Sequence, residues 1–321
     1  MAELETAGQL TLIELAKRTN NSEIMDIAEV LDKTNEIFKD MPMVEANQPT
    51  SHVISQRTAL PSGTWRQINA GVAYESSQTK QVVEPIGMLE SFSKCDEALA
   101  LLSRNPARFR WTEDKAFIEG LAQTFATAFF YGDTATVPEK FNGLSVRAAY
   151  DAAADTYVID EGGSGSDCTS IWVVEVGENK VHLVYPSGSR SMGIGSEDMG
   201  IQLVTDGTNP FRAFVTHFVL RIGLAIHDDK AVQRIASIES AGSSNIFDPD
   251  NLVKAINLLP GMGQGAVIYC NKTIRSQMDI NVMDKTNVYY TIREPYGEPL
   301  LYFRGVPVRT CEAILDTETA L

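Results

Sequence analysis

The chain has 321 residues, a length that corresponds to about two domains of ordinary size. Its apolar fraction of 44% and charged fraction of 21% are those of a folded globular protein, which excludes a wholly disordered chain. The formal net charge of −15 argues against proteins that bind nucleic-acid backbones or anionic membranes through clustered lysine and arginine.

The N-terminus and the cysteines carry no targeting or metal-binding pattern. The first residues, Met-Ala-Glu-Leu-Glu, lack a basic and an apolar region, so we expect no secretory signal. No apolar run reaches 18 residues, so we expect no membrane span. The cysteines are far apart and form no CxxC pair, which predicts buried free thiols; they are Cys95, Cys168, Cys270 and Cys311.

Residues 1–50 form an acidic arm with ten acidic and four basic residues. Asn21 or Ser22 can cap a helix there, and Met41-Pro42 ends it. Apolar or small side chains recur between these points at alternating steps of three and four, at Ile24, Ile27, Leu31, Thr34 and Phe38. This narrow stripe predicts an amphipathic helix that docks on a partner surface.

Residues 46–93 lack the apolar residues needed for a core of their own. Their sparse, β-compatible side chains are separated by turn sequences such as Pro61-Ser62-Gly63 and Asn69-Ala70-Gly71. This pattern predicts a long extended hairpin. Because an isolated two-stranded hairpin is marginal in water, we expect it to pack on something else, and that partner to be another subunit.

The clearest helix pattern covers residues 112–131. Thr112 is a candidate cap, an aromatic-rich ladder at every fourth position follows, and Gly132-Asp133 ends the pattern. The ladder consists of Phe117, Leu121, Phe125 and Phe129. A face this broad and aromatic predicts burial against a sheet.

The rest of the chain is rich in strands. Residues 171–176 and 180–185 predict one hairpin, and residues 288–292 and 300–303 predict another. Alternating apolar residues over 214–226 favour one long strand, with a helix as the competing interpretation. We also expect helices over 249–259 and 271–283 and strands over 266–270 and 306–308. The class is therefore α+β, dominated by antiparallel sheet.

No catalytic, cofactor or metal site is predicted. His52, His182, His217 and His227 stand in no ligand motif, and we expect His182 and His217 to be ordinary strand residues. The glycine-rich stretch 261–265 follows a helix instead of a strand, which indicates a turn instead of a dinucleotide loop. Asp228-Asp229 is best explained as a solvated turn, with weak cation binding as the alternative.

Several stretches together resemble the major capsid proteins of tailed bacteriophages, in particular those of the epsilon-fifteen-like podoviruses. Each motif is weak alone, but their order and spacing are specific over roughly residues 30–316. The matching stretches are 35–47, 57–66, 69–72, 130–133, 139–144, 167–172 and 303–309.

The resemblance implies the Hong Kong 97-like capsid fold, with an N-terminal arm, an extended loop, a long spine helix, and peripheral and axial domains. In this sequence the arm would be 1–50 and the extended loop 51–92. The mainly peripheral domain would be 93–245 with the spine helix at 112–131, and the mainly axial domain 246–321. These last two portions are expected to interleave.

The resemblance also implies a structural protein without catalysis or cofactor. It would self-assemble as hexamers and pentamers into an icosahedral virion shell around double-stranded DNA, without sequence-specific binding or a membrane. Assembly would take place in the host cytoplasm, with scaffolding, portal and decoration or staple proteins as partners. The alternatives are a bacterial nanocompartment shell of the same fold and a cytosolic enzyme with an unrecognised site.

Arg57, Trp65 and Arg66 are the candidate residues for contact between subunits. They combine an aromatic ring with cationic groups on an element that has no core of its own, a composition enriched in protein interfaces. The competing interpretation is that Trp65 packs within its own subunit.

Overall fold

The computed structural model describes residues 19–20, 23–24, 36–103, 105–188, 194–205, 207–242, 244–283, 290–293 and 300–321. The chain forms two compact units. Unit 1 combines Met1–Lys33, Met88–Phe125 and Arg190–Arg221, and unit 2 combines Thr34–Gly87, Ala126–Ser189 and Ile222–Leu321.

The helices of the described residues are short except for one. They are α1 (Ile37–Asp40), α2 (Glu97–Leu102), α3 (Pro106–Tyr131), α4 (Pro249–Leu258) and α5 (Lys272–Met283), with a 3-10 turn at Asp229–Ala231. In the described part of the chain, no helix is both long and apolar enough to cross a bilayer.

The strands alternate with these helices along the chain. They are β1 (Thr19–Asn20), β2 (Glu23–Ile24), β3 (Met43–Glu45), β4 (Ser51–Ala59), β5 (Gln78–Pro85), β6 (Gly87–Asp96), β7 (Val158–Asp160), β8 (Cys168–Glu175), β9 (Val181–Tyr185), β10 (Ile194–Thr205), β11 (Pro210–Ile226), β12 (Val232–Glu239), β13 (Ala266–Cys270), β14 (Tyr290–Arg293), β15 (Leu300–Phe303) and β16 (Val306–Thr310).

Unit 2 is built on a seven-stranded mixed sheet in the order β14-β15-β16-β13-β8-β12-β7. Strand β8 lies near its centre, and every one of its side chains is buried. Ile171 and Val173 of β8 face a core that includes Leu252 of α4 and Ile274 of α5. Side chains alternate between faces along a strand, so Trp172 points the other way, where its ring centroid lies 6.4 Å from that of Phe130. The strand is thus covered on both sides.

A buried polar network ties the C-terminal segment into unit 2. Arg234 donates to a carboxylate oxygen of Glu318 at 3.1 Å, and its guanidinium carbon lies 5.0 Å from the Trp172 ring centroid. The Tyr131 hydroxyl also donates to Glu318, and Ser170 donates to it at 2.5 Å. The buried carboxylate therefore has a cationic partner and two neutral donors, which offsets the cost of removing it from water.

Unit 1 contains the long antiparallel ladder of β10 and the first part of β11. The pairing runs from Ile194 opposite Leu220 to Thr205 opposite Pro210, with an irregularity between Asp198 and Gly200. Strand β11 continues into unit 2, where its residues 223–226 pair with β9, and β9 pairs in parallel with β3. Strand β6 also pairs with β11.

Most predicted elements are confirmed. The long strand over 214–226 is part of β11, the hairpin of 288–292 with 300–303 is β14 and β15, and α4 begins at Asp248-Pro249 as predicted. The four cysteines are buried and form no disulfide. The central part of the predicted arm helix, residues 25–35, lies outside the described residues. Only its last turn is present, as α1, and Glu23–Ile24 is a strand.

The long helix begins earlier than predicted. It begins at Pro106, because Asn105 accepts the N–H of Arg108 at 3.1 Å and so supplies the cap that was assigned to Thr112. The Thr112 hydroxyl instead donates to the Arg108 carbonyl within the helix. At the other end the chain leaves the helix through Gly132, where an added Cβ would lie 2.4 Å from the Phe141 carbonyl oxygen.

The hairpin predicted for residues 171–176 and 180–185 is wrong. Both strands exist, as β8 and β9, but β8 pairs with β12 and β13, whereas β9 pairs with β11 and β3. The short Gly-Glu-Asn connection therefore joins two different sheets. The seven-stranded sheet also combines strands from both sides of residue 245.

Candidate intersubunit surface

The extended hairpin consists of β4 and β5, which pair from Ser51 opposite Pro85 to Ala59 opposite Gln78. Two parts of it differ in their surroundings. We call residues 51–56 and 80–85 the hairpin base, and residues 60–77 the hairpin tip. The base lies against other parts of unit 2, and the tip is exposed.

The hairpin base is anchored by a buried ion pair. Glu84 is only 2% exposed, and its two carboxylate oxygens accept from Arg147 at 2.6 and 3.0 Å. The same guanidinium donates to the carbonyls of Asn142, Gly143 and Leu224, all at 3.1 Å. Arg147 therefore links the hairpin, the segment after α3, and β11.

Close packing supplies the second anchor of the hairpin base. Ile54 is buried in a small cluster with Ala46, Val184 and Ala225. Opposite the end of β5, β11 carries Gly223, where an added Cβ would lie 2.7 Å from the Pro85 carbonyl oxygen. Only glycine allows the two backbones to approach this closely. The base is thus supported by its own chain, which corrects the expectation that its partner is another subunit.

The hairpin tip has a defined backbone but no core. The Glu75 carboxylate accepts the backbone N–H groups of Ser62 and Gly63 at 2.7 and 3.0 Å, which holds the two sides of the tip together. Its large apolar side chains remain exposed; they are Leu60, Trp65, Ile68, Val72 and Tyr74. A group of exposed apolar residues on one element is typical of an interaction surface.

The three candidate contact residues all lie on this hairpin. Trp65 is fully exposed, so the alternative that it packs within its own subunit is wrong in this structure. Arg66 lies beside it in the tip and donates to the Ala70 carbonyl at 3.1 Å, which leaves other donors of its guanidinium available. Arg57 is exposed near the end of β4, opposite Thr79.

Unit 1 carries a second exposed apolar set that the sequence analysis did not single out. Leu101 and Leu102 end helix α2, Trp111 lies in the second turn of α3, and Ile201 and Leu203 lie two residues apart on β10. The sequence does show large apolar residues close to the connection between two helices, with Leu101-Leu102 just before it and Trp111 a few residues after it.

A histidine cluster that the sequence did not predict lies beside the hairpin base. His52 of β4, His182 of β9 and His227 after β11 have ligand nitrogens that all lie within 4.8 Å of one another. They are 130 and 45 residues apart in the sequence, so no local motif could reveal them. Burial and the two neighbouring imidazoles lower the pKa of His182 to about 4, and burial also lowers the pKa of His52 and His227.

The other polar sequence candidates have local structural roles. Asp228 caps the 3-10 turn by accepting the N–H of Lys230 at 3.0 Å, and the Asp229 carbonyl accepts from the Tyr150 hydroxyl at 2.7 Å. His217 stacks on Phe92, with ring centroids 4.4 Å apart. The glycine-rich stretch 261–265 is a turn between α4 and β13, as predicted.

The mixed helix-and-sheet fold is that of the Hong Kong 97-like capsid proteins. The sequence matches the family described as Major capsid protein GP7 over residues 19–321. The chain belongs to this family, and it is a major capsid protein.

One solved structure supports this assignment. The chain is similar to a protein of bacteriophage Epsilon15, at 30% identity and a TM-score of 0.71, over 100% of this chain and 99% of that chain. A weaker likeness is to the capsid of Myoviridae phage XM1, at 11% identity and a TM-score of 0.44, over 72% of this chain and 100% of that chain. Another is to the SrpI encapsulin of Synechococcus elongatus PCC 7942, at 11% identity and a TM-score of 0.44, over 74% of this chain and 96% of that chain. No curated protein sequence matched the chain.

Proposed function

We propose that this chain self-assembles through hexamers and pentamers into the icosahedral shell that encloses the double-stranded DNA of a tailed phage. The observation that carries the proposal is the division of the extended hairpin into an anchored base and an exposed apolar tip. Such a tip loses its exposed apolar surface only when another molecule covers it. In a shell, each subunit offers such a surface to an identical neighbour, so modest contacts add up by multiplicity.

Within that shell, the hairpin contacts a neighbouring subunit through Arg57 near the end of β4 and through Trp65 and Arg66 in the tip. Tryptophan and arginine are the side chains that most often dominate the binding energy of interfaces. The arm is 1–50, the extended loop 51–92 and the spine helix part of α3, and the remainder divides between a peripheral and an axial domain.

The acidity of the chain suits this role. A wall with a formal charge of −15 per subunit neutralises few phosphates, so DNA slides along it without tight, salt-dependent binding. The protein acts structurally, in the virion, after assembly in the host cytoplasm. Scaffolding, portal and decoration or staple proteins are its partners.

Electron microscopy of the full-length protein, taken from the void volume of a sizing column, tests the proposal. Closed polyhedral shells, or hexamers and pentamers that grow into them when a scaffold is co-expressed, are expected. A uniform small oligomer under all conditions, with and without the scaffold, would refute it. Shells that enclose a co-purifying enzyme instead of DNA would favour the nanocompartment alternative.

The role of the tip is tested by Trp65→Ala, with Ile280→Ala on α5 as the exposed apolar control outside the hairpin. Trp65 is fully exposed in the subunit, so its removal leaves subunit stability within about 0.5 kcal/mol of wild type. Shell yield falls because the interface loses a large apolar anchor. Unchanged yield and unchanged shell stability would contradict the assignment of Trp65.

A further inference from the structure

The three-histidine cluster at the hairpin base has the composition of a metal site. We propose that His52, His182 and His227 bind one divalent transition-metal ion of the zinc class. Imidazole nitrogen is a preferred ligand of zinc, copper, nickel and cobalt, whereas magnesium and calcium prefer oxygen. This inference is independent of shell assembly, because all three ligands belong to one chain.

The strongest observation for a metal site is that His182 is buried with few polar partners. The side chain is only 1% exposed, and neither ring nitrogen has a hydrogen bond of regular geometry among the described residues. His227 Nε2 is likewise buried without such a partner. Buried polar atoms are nearly always satisfied, so buried imidazole nitrogens that lie close together without regular partners call for a ligand. A metal ion accepts lone pairs from several of them at once.

The distances are close to those that a metal needs. Tetrahedral zinc with Zn–N bonds of 2.0–2.1 Å places its ligand nitrogens about 3.4 Å apart. The nitrogens here lie within 4.8 Å of one another, and the ring centroids are 5.0 to 5.8 Å apart. His52 and His227 are half-buried and can turn towards the fixed His182. Three imidazoles leave a fourth position open for water.

One carboxylate lies next to the cluster, paired with an arginine. Glu84 lies directly opposite His52 across the β4–β5 ladder, and its negative charge acts on both His52 and His227. Arg147 already binds both oxygens of that carboxylate, so we place Glu84 outside the ligand set. The backbone of Gly177 is a weak hydrogen-bond partner of His182, and this contact raises the His182 pKa against the larger effect of burial.

One existing contact must change when the ion binds. The backbone N–H of Asn47 donates to Nδ1 of His52 at 3.3 Å, which leaves the ring proton on Nε2. A metal that binds Nε2 requires that proton to move to Nδ1 and this long hydrogen bond to break; a metal that binds Nδ1 displaces the same bond. Binding therefore tightens the contact between β4, β9 and the end of β11 at the expense of one weak contact.

Titration of the untagged full-length protein with Co²⁺ and Zn²⁺, after treatment with EDTA, tests the site. We expect one Co²⁺ per chain, with the visible absorption of a tetrahedral nitrogen-rich site and no thiolate charge-transfer band, and Zn²⁺ should displace it. His217 is the only histidine outside the cluster, so His217→Ala is the matched control and should bind as the wild type does.

His52→Ala should lower the affinity at least tenfold, because the loss of a ligand exceeds the effect of its supporting groups. His52 is half-buried, so this variant keeps the core intact; amide exchange of β4 and β5 without metal should match the wild type. His182→Gln provides a second ligand variant. No binding by the wild type, binding that His52→Ala leaves unchanged, or a thiolate band would each overturn the proposal.

Discussion

Replacement of Arg147 by methionine tests how the hairpin base is held. The substitution removes both hydrogen bonds to the Glu84 carboxylate, which is 2% exposed and then lacks its charge partner. Breaking a buried pair by removing one partner costs about 3–5 kcal/mol. The three carbonyls that Arg147 also binds lose their donor, which places the expected loss at the upper end of that range.

The double variant Glu84→Gln/Arg147→Met separates the charge from the hydrogen bonds. The double variant leaves no buried charge. We therefore expect its free energy of unfolding to fall by about half as much as that of Arg147→Met, and the remaining loss comes from the carbonyls that no longer have a donor. Arg275→Met is the control, because Arg275 pairs with the half-exposed Asp279 four residues along α5 and should cost less than about 0.5 kcal/mol.

The assay is amide hydrogen exchange in β4 and β5 of the full-length chain, with urea unfolding as the global measure. Arg147→Met should raise exchange throughout the hairpin base, whereas Arg275→Met should not. The reasoning fails if Arg147→Met destabilises the protein by less than about 1 kcal/mol, or if the double variant is as unstable as the single one.

Three further substitutions address the core, a helix cap and a close backbone approach. Leu252→Ala removes a fully buried side chain of α4 and should cost about 2–5 kcal/mol in urea unfolding; a loss below 1 kcal/mol would mean that the site repacks. Asp248→Ala removes the α4 cap and should cost about 0.5–2 kcal/mol, whereas Asp248→Asn should retain most of it. Gly143→Ala should lower the melting temperature, since its Cβ would lie 2.7 Å from backbone atoms, whereas Gly120→Ala, with open space in α3, should raise it.

Local sequence patterns were sufficient to predict the helices and strands that have a clear periodicity or a cap residue. The aromatic ladder of α3, the Asp248-Pro249 start of α4 and the alternation in β11 reflect burial of one face or a defined cap, and each follows from residues close together in the chain. The start of α3 was misplaced because two side chains, Asn105 and Thr112, can both cap a helix, and only the structure shows which one does.

Long-range pairing could not be predicted in the same way. Strands β8 and β9 look like a hairpin because a short turn joins them, yet β8 is buried on both faces and β9 pairs with β11 and β3. Sequence separation also hid the histidine cluster and the Glu84–Arg147 pair, whose members lie 63 residues apart. The exposed tip was foreseeable, since its composition excludes a core of its own.

The hairpin base contributes to the stability of the subunit, and the exposed tip contributes to assembly. Two variants distinguish these roles. Gly223→Ala places a Cβ 2.7 Å from the Pro85 carbonyl and should destabilise the base by about 1–3 kcal/mol, because backbone atoms cannot yield as a side chain can. Shell yield should then fall only to the extent that the subunit unfolds, and lowering the temperature should restore it. Trp65→Ala should leave the subunit stable but should lower the shell yield at every temperature. If Gly223→Ala subunits that are folded by amide exchange still fail to assemble, the base contributes to the interface directly and the division between base and tip is wrong.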